Sequence, residues 1–213
     1  GTMTLDAGNQ ANHLAETLTA WPGSLTIEKG EAALSARFQW QPENPLTVKA
    51  TLDLAEASGL YEQMAWQGFS GQVRAGLADH VVTIETEGLS LDELNPGMPV
   101  GPVTLAGQYE AALSAPMSGR LTLSTAEAGF AGGALSVPSQ SWQLDRMPIE
   151  IPLAVRGLQL SELMNLYPTE GLSGEGTLNG ELPVIIGHRG IRIDNGQLSA
   201  LPPGGQLKLP AEK

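Results

Sequence analysis

Three histidines, two adjacent carboxylates, a run of glycines and four tryptophans are the residues of this chain whose types invite a chemical reading. His13, His80 and His188 lie far apart, and none has a second histidine or a cysteine at ligand spacing, so they read as surface or turn residues and not as metal ligands. Asp92 and Glu93 are neighbours in sequence. Adjacent helical side chains point apart, and Ser90 with Glu93 forms a capping-box pair before Leu94, so the spacing predicts a short helix there and no general acid–base pair. Gly171, Gly174, Gly176 and Gly180 follow the order GxxGxGxxxG with no lysine after them and a strand pattern next, which fits turns and close packing better than a phosphate loop. Trp21, Trp40, Trp66 and Trp142 show no stacking period and read as core or strand-edge anchors. No serine occupies a GxSxG elbow, and neither a zinc-protease helix nor a calcium loop is present. The expectation is a protein that is not an enzyme and has no cofactor or metal.

The elements that must position these residues are set by composition. The chain has 213 residues, 41% of them hydrophobic, and its 26 glycines and 15 prolines divide it so finely that the longest stretches free of both, 9–21 and 46–58, are 13 residues each. A membrane-crossing helix needs about 20 mostly apolar residues, so none is expected. A net charge of −12 with no basic cluster argues against nucleic acid as a partner. The absence of cysteine removes disulfides and thiol chemistry and fits either a cytosolic or a periplasmic address.

Between the turn residues the dominant period is two. Leu46, Val48, Ala50, Leu52 and Leu54 alternate with polar residues, as do Leu25 and Ile27, Val82 and Ile84, Leu121 and Leu123, Ile149, Ile151, Leu153 and Val155, Ile191 and Ile193, and Leu207 and Leu209. Each is the signature of a half-buried strand. Asn179-Gly180, Asn195-Gly196, Gly132-Gly133 and Gly204-Gly205 supply the positive φ of two-residue hairpin turns. Helical spacing is confined to Ala11, Leu14, Ala15 and Leu18, the Ser90 cap and residues 161–166; residues 60–66, bracketed by Gly59 and Gly68, read as strand. The fold class is therefore all-β, an elongated, mainly antiparallel sheet with a few short helices.

A repeat is visible. The heptad beginning at Gly88 returns at Gly157, offset by 69, and residues 131–138 return at 203–210, offset by 72. The division expected is an expression scar at 1–3, an N-terminal β segment at 4–87 with a short helix near 10–19, one repeat unit at 88–156 and a truncated second at 157–213. A long sheet with one apolar face and too little helix to cover it must bury that face against something. The face is either a sealed core or a lipid-like groove, lined in the latter case by Leu25, Ile27, Leu46, Val48, Leu52, Leu54, Val82, Ile84, Leu121, Leu123, Ile149, Ile151, Leu153, Val155, Ile191 and Ile193. Pro148 and Pro152 each remove a ladder donor, so 149–155 is expected at an edge or bend. Lys49, Asp53, Glu28, Arg120, Glu150, Arg156, Arg192 and Asp194 are expected on the solvent face.

The runs GLSLDELNPGMPVGPVTLAGQYE at 88–110, LYPTEGLSGEGTLNGELPV at 166–184 and GIRIDNGQLSALPPGG at 190–205 resemble the C-terminal part of the YdbH family, within the AsmA-like, TamB-like group of intermembrane phospholipid transport proteins. The resemblance covers roughly residues 20–210 and rests on turn and strand patterns. It implies a sheet curled round an apolar groove, phospholipid as cargo and a place in the periplasm of a Gram-negative bacterium. It also implies an inner-membrane anchor outside this stretch and a small outer-membrane lipoprotein of the YnbE type that adds strands beyond the C-terminal end. The alternative function is a non-transporting envelope scaffold that binds partner proteins by strand addition.

Overall fold

The computed structural model describes residues 2–6, 23–41, 44–166, 168, 172–187 and 190–208. The helix expected near 10–19, Trp21, His13, His188 and Gly171 lie outside these residues. Sixteen strands and one helix are described: β1 (Thr2–Asp6), β2 (Leu25–Gln41), β3 (Asn44–Tyr61), β4 (Met64–Ala78), β5 (Val81–Leu91), β6 (Glu93–Asn95), β7 (Val103–Ala112), β8 (Arg120–Phe130), β9 (Gly133–Ser136), β10 (Gln140–Gln143), β11 (Ile149–Gln159), α1 (Leu160–Leu166), β12 (Ser173–Glu175), β13 (Thr177–Gly187), β14 (Gly190–Ile193), β15 (Gln197–Ala200) and β16 (Gln206–Lys208). Fourteen of the strands belong to one antiparallel sheet that does not close into a barrel, and β12 pairs with β16. The period-two reading of an all-β, antiparallel chain holds, as does the short helix at 161–166. Among the described residues no helix is long and apolar enough to cross a membrane.

The chain divides into two compact units, residues 1–125 with 139–146, and residues 126–138 with 147–213. In the first, consecutive strands pair in the order β1, β2, β3, β4, β5, β7, β8, with β6 beside β4 and β10 beside β8. In the second, the end of β8 pairs with β9, β9 with β11, and β11 with β13, while β14 and β15 both pair with β13.

Several local expectations are overturned. Ser90 and Glu93 cap no helix: Ser90 ends up in β5 and Glu93 in β6, opposite Gln67. Pro96 disfavours α geometry at Asn95 and so leaves no room for a helical turn, whereas the repeated heptad at Gly157 meets no proline before Pro168 and winds into α1. The strand reading of residues 60–66 holds at its two ends, Leu60-Tyr61 in β3 and Met64 to Trp66 in β4, which a turn at Glu62-Gln63 joins, with Glu62 at φ +55°. Asn179-Gly180 lies inside β13. Asn195-Gly196 joins two strands that share one neighbour, so it is a bulge and not a hairpin, and Gly204-Gly205 connects strands of different sheets. Only the third glycine pair marks a hairpin, one residue earlier than read: Ala131 and Gly132 carry the positive φ, and Gly133 already pairs with Phe130. A further two-residue turn, Asp79-His80 with φ +49° and +62°, contains no glycine, which is why sequence reading passes over it.

The glycines instead mark a seam of bulges. Register slips occur around Gly30 in β2, Glu56 in β3, Gly71 in β4 and Gly88 in β5, and a Cβ on Gly30 would run into Ala57 while one on Gly71 would run into the Gly88 carbonyl. A bulge frees backbone groups from the ladder and bends its strand. Hydroxyls take up the freed N–H groups: Glu56 N donates to Ser70 Oγ at 2.8 Å, Gly68 N to Ser58 Oγ at 3.1 Å and Gly88 N to Thr86 Oγ1 at 3.2 Å. The second unit repeats the device at Gly157, whose N–H donates to Asn179 Oδ1 at 2.7 Å.

Candidate functional site: an apolar sheet face

Directly opposed residues of an antiparallel ladder share a face, so the registers assemble the surface strand by strand. In the first unit Phe38, Val48, Leu77, Val82 and Ala111 form one cross-strand row. Beside it run Ala36, Ala50, Ala75, Ile84 and Tyr109, then Leu34, Leu52 and Val73, then Ala32, Leu54, Gly71, Leu89 and Leu105. No charged side chain stands in these four rows. The alternate positions carry the charge: Arg37 faces Lys49, Thr51 faces Arg74 and Arg74 faces Glu85. On that side Gln72 Nε2 donates to Asp53 Oδ1 at 2.6 Å, and Arg74 donates from Nε to Gln72 Oε1 at 3.0 Å and from Nη1 to Glu87 Oε1 at 2.7 Å. The hydrogen bond to Glu87, followed by its charge, raises the Arg74 pKa above its ordinary value.

The second unit is built the same way. Ile149, Ile186 and Ile191 make one row, Ile151, Val184 and Ile193 the next, followed by Leu153 with Leu182, and by Leu135, Val155, Gly180 and Leu198. Glu150, Ala154 and Arg192 occupy the other face.

The sixteen residues expected to line a groove therefore sort by register and exposure. Val48, Leu52, Leu54, Val82 and Ile84 share the first unit's apolar face, with Leu46 two residues before Val48 in β3. Beyond the seam Leu25 stands opposite Tyr61, Ile27 opposite Gly59, and Gly59 opposite Trp66, whose ring lies where a Gly59 side chain would go. Leu121 faces Trp142, and Leu123 faces Gln140. Most of these are half-buried, while Leu46 and Ile84 are exposed. In the second unit Ile151 and Leu153 are half-buried, Ile191 and Ile193 are 73% and 59% exposed, and Val155 is sealed at 1% with Ile149 nearly so. The 149–155 segment is edge-like over its first part: Ile149 to Leu153 pair with β13 alone, and β9 joins β11 only at Ala154, Val155 and Arg156. Pro152 meets Pro183 across the ladder, placing two residues without donors at one position. All eight charged residues expected in solvent are exposed.

The chemical candidates do not assemble. His80 sits exposed in its turn, and no group of three metal-ligating side chains is found among the described residues. Trp142 is buried, Trp66 makes an edge-to-face contact with Phe69 at 6.1 Å, and Trp40 is exposed, so the three form no stacking platform. What sequence reading missed is the set of partner rows, Val73 to Leu77 in β4 and Leu182 to Ile186 in β13, because glycines at 71, 76, 180 and 187 obscure their alternation.

The described strands thus form an open antiparallel sheet whose first unit carries charge on one face and uncharged apolar rows on the other. The comparisons with known proteins specify it further. A family model described as YdbH-like, intermembrane phospholipid transport protein YdbH, matches residues 3–213, and the chain belongs to that family. No curated protein and no solved structure matches it.

Proposed function

We propose that the apolar sheet face is the path of phospholipid acyl chains, conducted passively along the cross-strand rows between inner and outer membrane. The observation that carries this reading is the one-sidedness of the first unit: four uncharged apolar rows, half-buried or exposed except at Ala111, stand opposite a face that holds Arg37, Lys49, Arg74 and Glu85. Bringing two chains of about 16 carbons into water costs on the order of 25 kcal/mol at ~0.8 kcal/mol per CH₂. Shielding half of that surface removes about 12 kcal/mol, roughly eight powers of ten in rate, with no nucleotide or catalytic group. Membership of a phospholipid transport family supports the same cargo.

The setting belongs to the proposal: the periplasm of a Gram-negative bacterium, with the full-length protein anchored in the inner membrane. A small outer-membrane lipoprotein of the YnbE type would extend the sheet by strand addition beyond the C-terminal end. Among the described residues β14 and β15 pair with β13 and with no further strand, which is the kind of edge such a partner uses.

Photoactivatable side chains test the face. Placed at Leu52 and Ala75 they are expected to yield phospholipid adducts in cells, and placed at Thr51 and Arg74, on the other side of the same strands, they are not. Equal labelling of both sides, or protein adducts in place of lipid at Leu52 and Ala75, would overturn conduction on this face and favour the scaffold.

A further inference from the structure

We infer that Asn195 is a site of spontaneous covalent modification, deamidating through a cyclic imide formed with Gly196, while the identical dipeptide Asn179-Gly180 in the same unit is protected by the fold. The reaction starts when the backbone nitrogen of the following residue, having lost its proton to solvent base, attacks the side-chain carboxamide carbon. A C–N bond forms, the bond to the side-chain nitrogen breaks, and ammonia leaves with the protons it needs. Water then opens the imide at one of its two carbonyls, giving aspartate or isoaspartate, so the balance is one water taken up and one ammonia released with no change in oxidation state. Glycine in the following position exposes the attacking nitrogen because it has no Cβ to shield it.

The two dipeptides meet opposite conditions. Between the pairs Ile193 with Val184 and Gln197 with Glu181, three residues of one chain segment face two of β13, and Asn195 is the middle of the three. It lies outside any strand with φ +51°, and Asp194, Asn195 and Gly196 are all exposed. A Cβ on Gly196 would meet first the flexible end of Leu182, at Cδ2, 2.6 Å away, so the bulge leaves this position open to solvent and to attack. Asn179, in contrast, is inside β13 with its Oδ1 accepting the Gly157 N–H at 2.7 Å, and Gly180 is in the ladder between Val155 and Leu198. Attack there requires the carboxamide to abandon the bulge at Gly157 and Gly180 to leave the sheet, which happens only through local opening. Modification at Asn195 adds one negative charge beside Asp194. The isoaspartate product also lengthens the main chain by one carbon at the joint that sets the register of β14 against β15.

The test uses the whole folded chain held in mildly alkaline buffer and sampled over days, with peptide mass spectrometry and an isoaspartyl methylation assay reading each dipeptide. Conversion is expected to be at least about tenfold faster at Asn195 than at Asn179, because only the latter must wait for opening. In strong denaturant the two rates are expected to converge, since the dipeptides are the same. Equal rates in the folded protein, or no product at Asn195, would overturn the inference.

Discussion

At the scale of single residues, the physical demands are made by backbone approach and by freed amide groups more than by side-chain chemistry. A methyl group on Gly59 would run into the Thr26 carbonyl and the Trp66 ring, whereas one on Gly88 meets nothing within 4 Å. Gly59→Ala should therefore cost on the order of 3 kcal/mol through forced strand separation, and Gly88→Ala less than about 0.5 kcal/mol. Urea midpoints of the two variants check this, with a shift confined to Gly59→Ala as the expected result. Ser58, only 3% exposed, accepts the N–H that the bulge at Gly68 frees. Its replacement by alanine leaves that donor without a partner and should cost about 1–3 kcal/mol. Ser70→Ala, at a position where the same kind of bond is exposed to water, should cost less than about 1 kcal/mol because solvent replaces the hydroxyl. Chemical denaturation of both single variants would show the difference, and equal losses would mean the seam is not held by its buried hydroxyl.

At the scale of elements, the question is which strands of the apolar face are sealed and which are open. β11 contains both conditions along one face, since Val155 is fully covered while Ile151 is half-buried. An aspartate at 155 has neither water nor a partner and should destabilise the second unit by on the order of 4 kcal/mol, with loss of folded protein. An aspartate at Leu52 or Ile151 can reach water, so the melting temperature should fall only modestly while lipid adducts disappear. Melting curves and cellular levels measured beside lipid crosslinking separate the two cases. Unfolding by Ile151→Asp to the extent of Val155→Asp would place Ile151 in a sealed core and count against the open path.

At the scale of the whole molecule, the proposed path makes the net charge of −12 and the uncharged character of the cross-strand rows act on different parts of a phospholipid. The rows hold no cation that could select a headgroup, so affinity should follow acyl length and be nearly indifferent to zwitterionic or anionic headgroups. Each added methylene should contribute up to ~0.8 kcal/mol, close to fourfold in affinity, until the rows are filled. Native mass spectrometry with a series of lysophospholipids differing in chain length and headgroup would measure this. A dependence on headgroup charge with none on length would contradict cargo binding on the apolar rows.

The period-two alternation was legible in the residues alone, and with it the strands and their two chemically different faces. Every one of Leu46, Val48, Ala50, Leu52 and Leu54 falls on one side of β3 because the pleat admits no other arrangement. The family resemblance was legible from the same strand and turn patterns. Tertiary structure alone decided which alternations meet across the ladder, since register is set by bulges whose positions depend on neighbouring strands. Asn179-Gly180 shows why: as a dipeptide it has the makings of a hairpin turn, but within β13 its side chain satisfies a bulge 22 residues away in sequence. The Ser90 to Glu93 pair shows the converse, a local helix signal cancelled by Pro96 and by pairing of β6 with β4. Burial also belonged to the tertiary level, because Ile191 and Val155 carry the same apolar signal in sequence, and only the presence or absence of packed neighbours makes one a surface and the other a core.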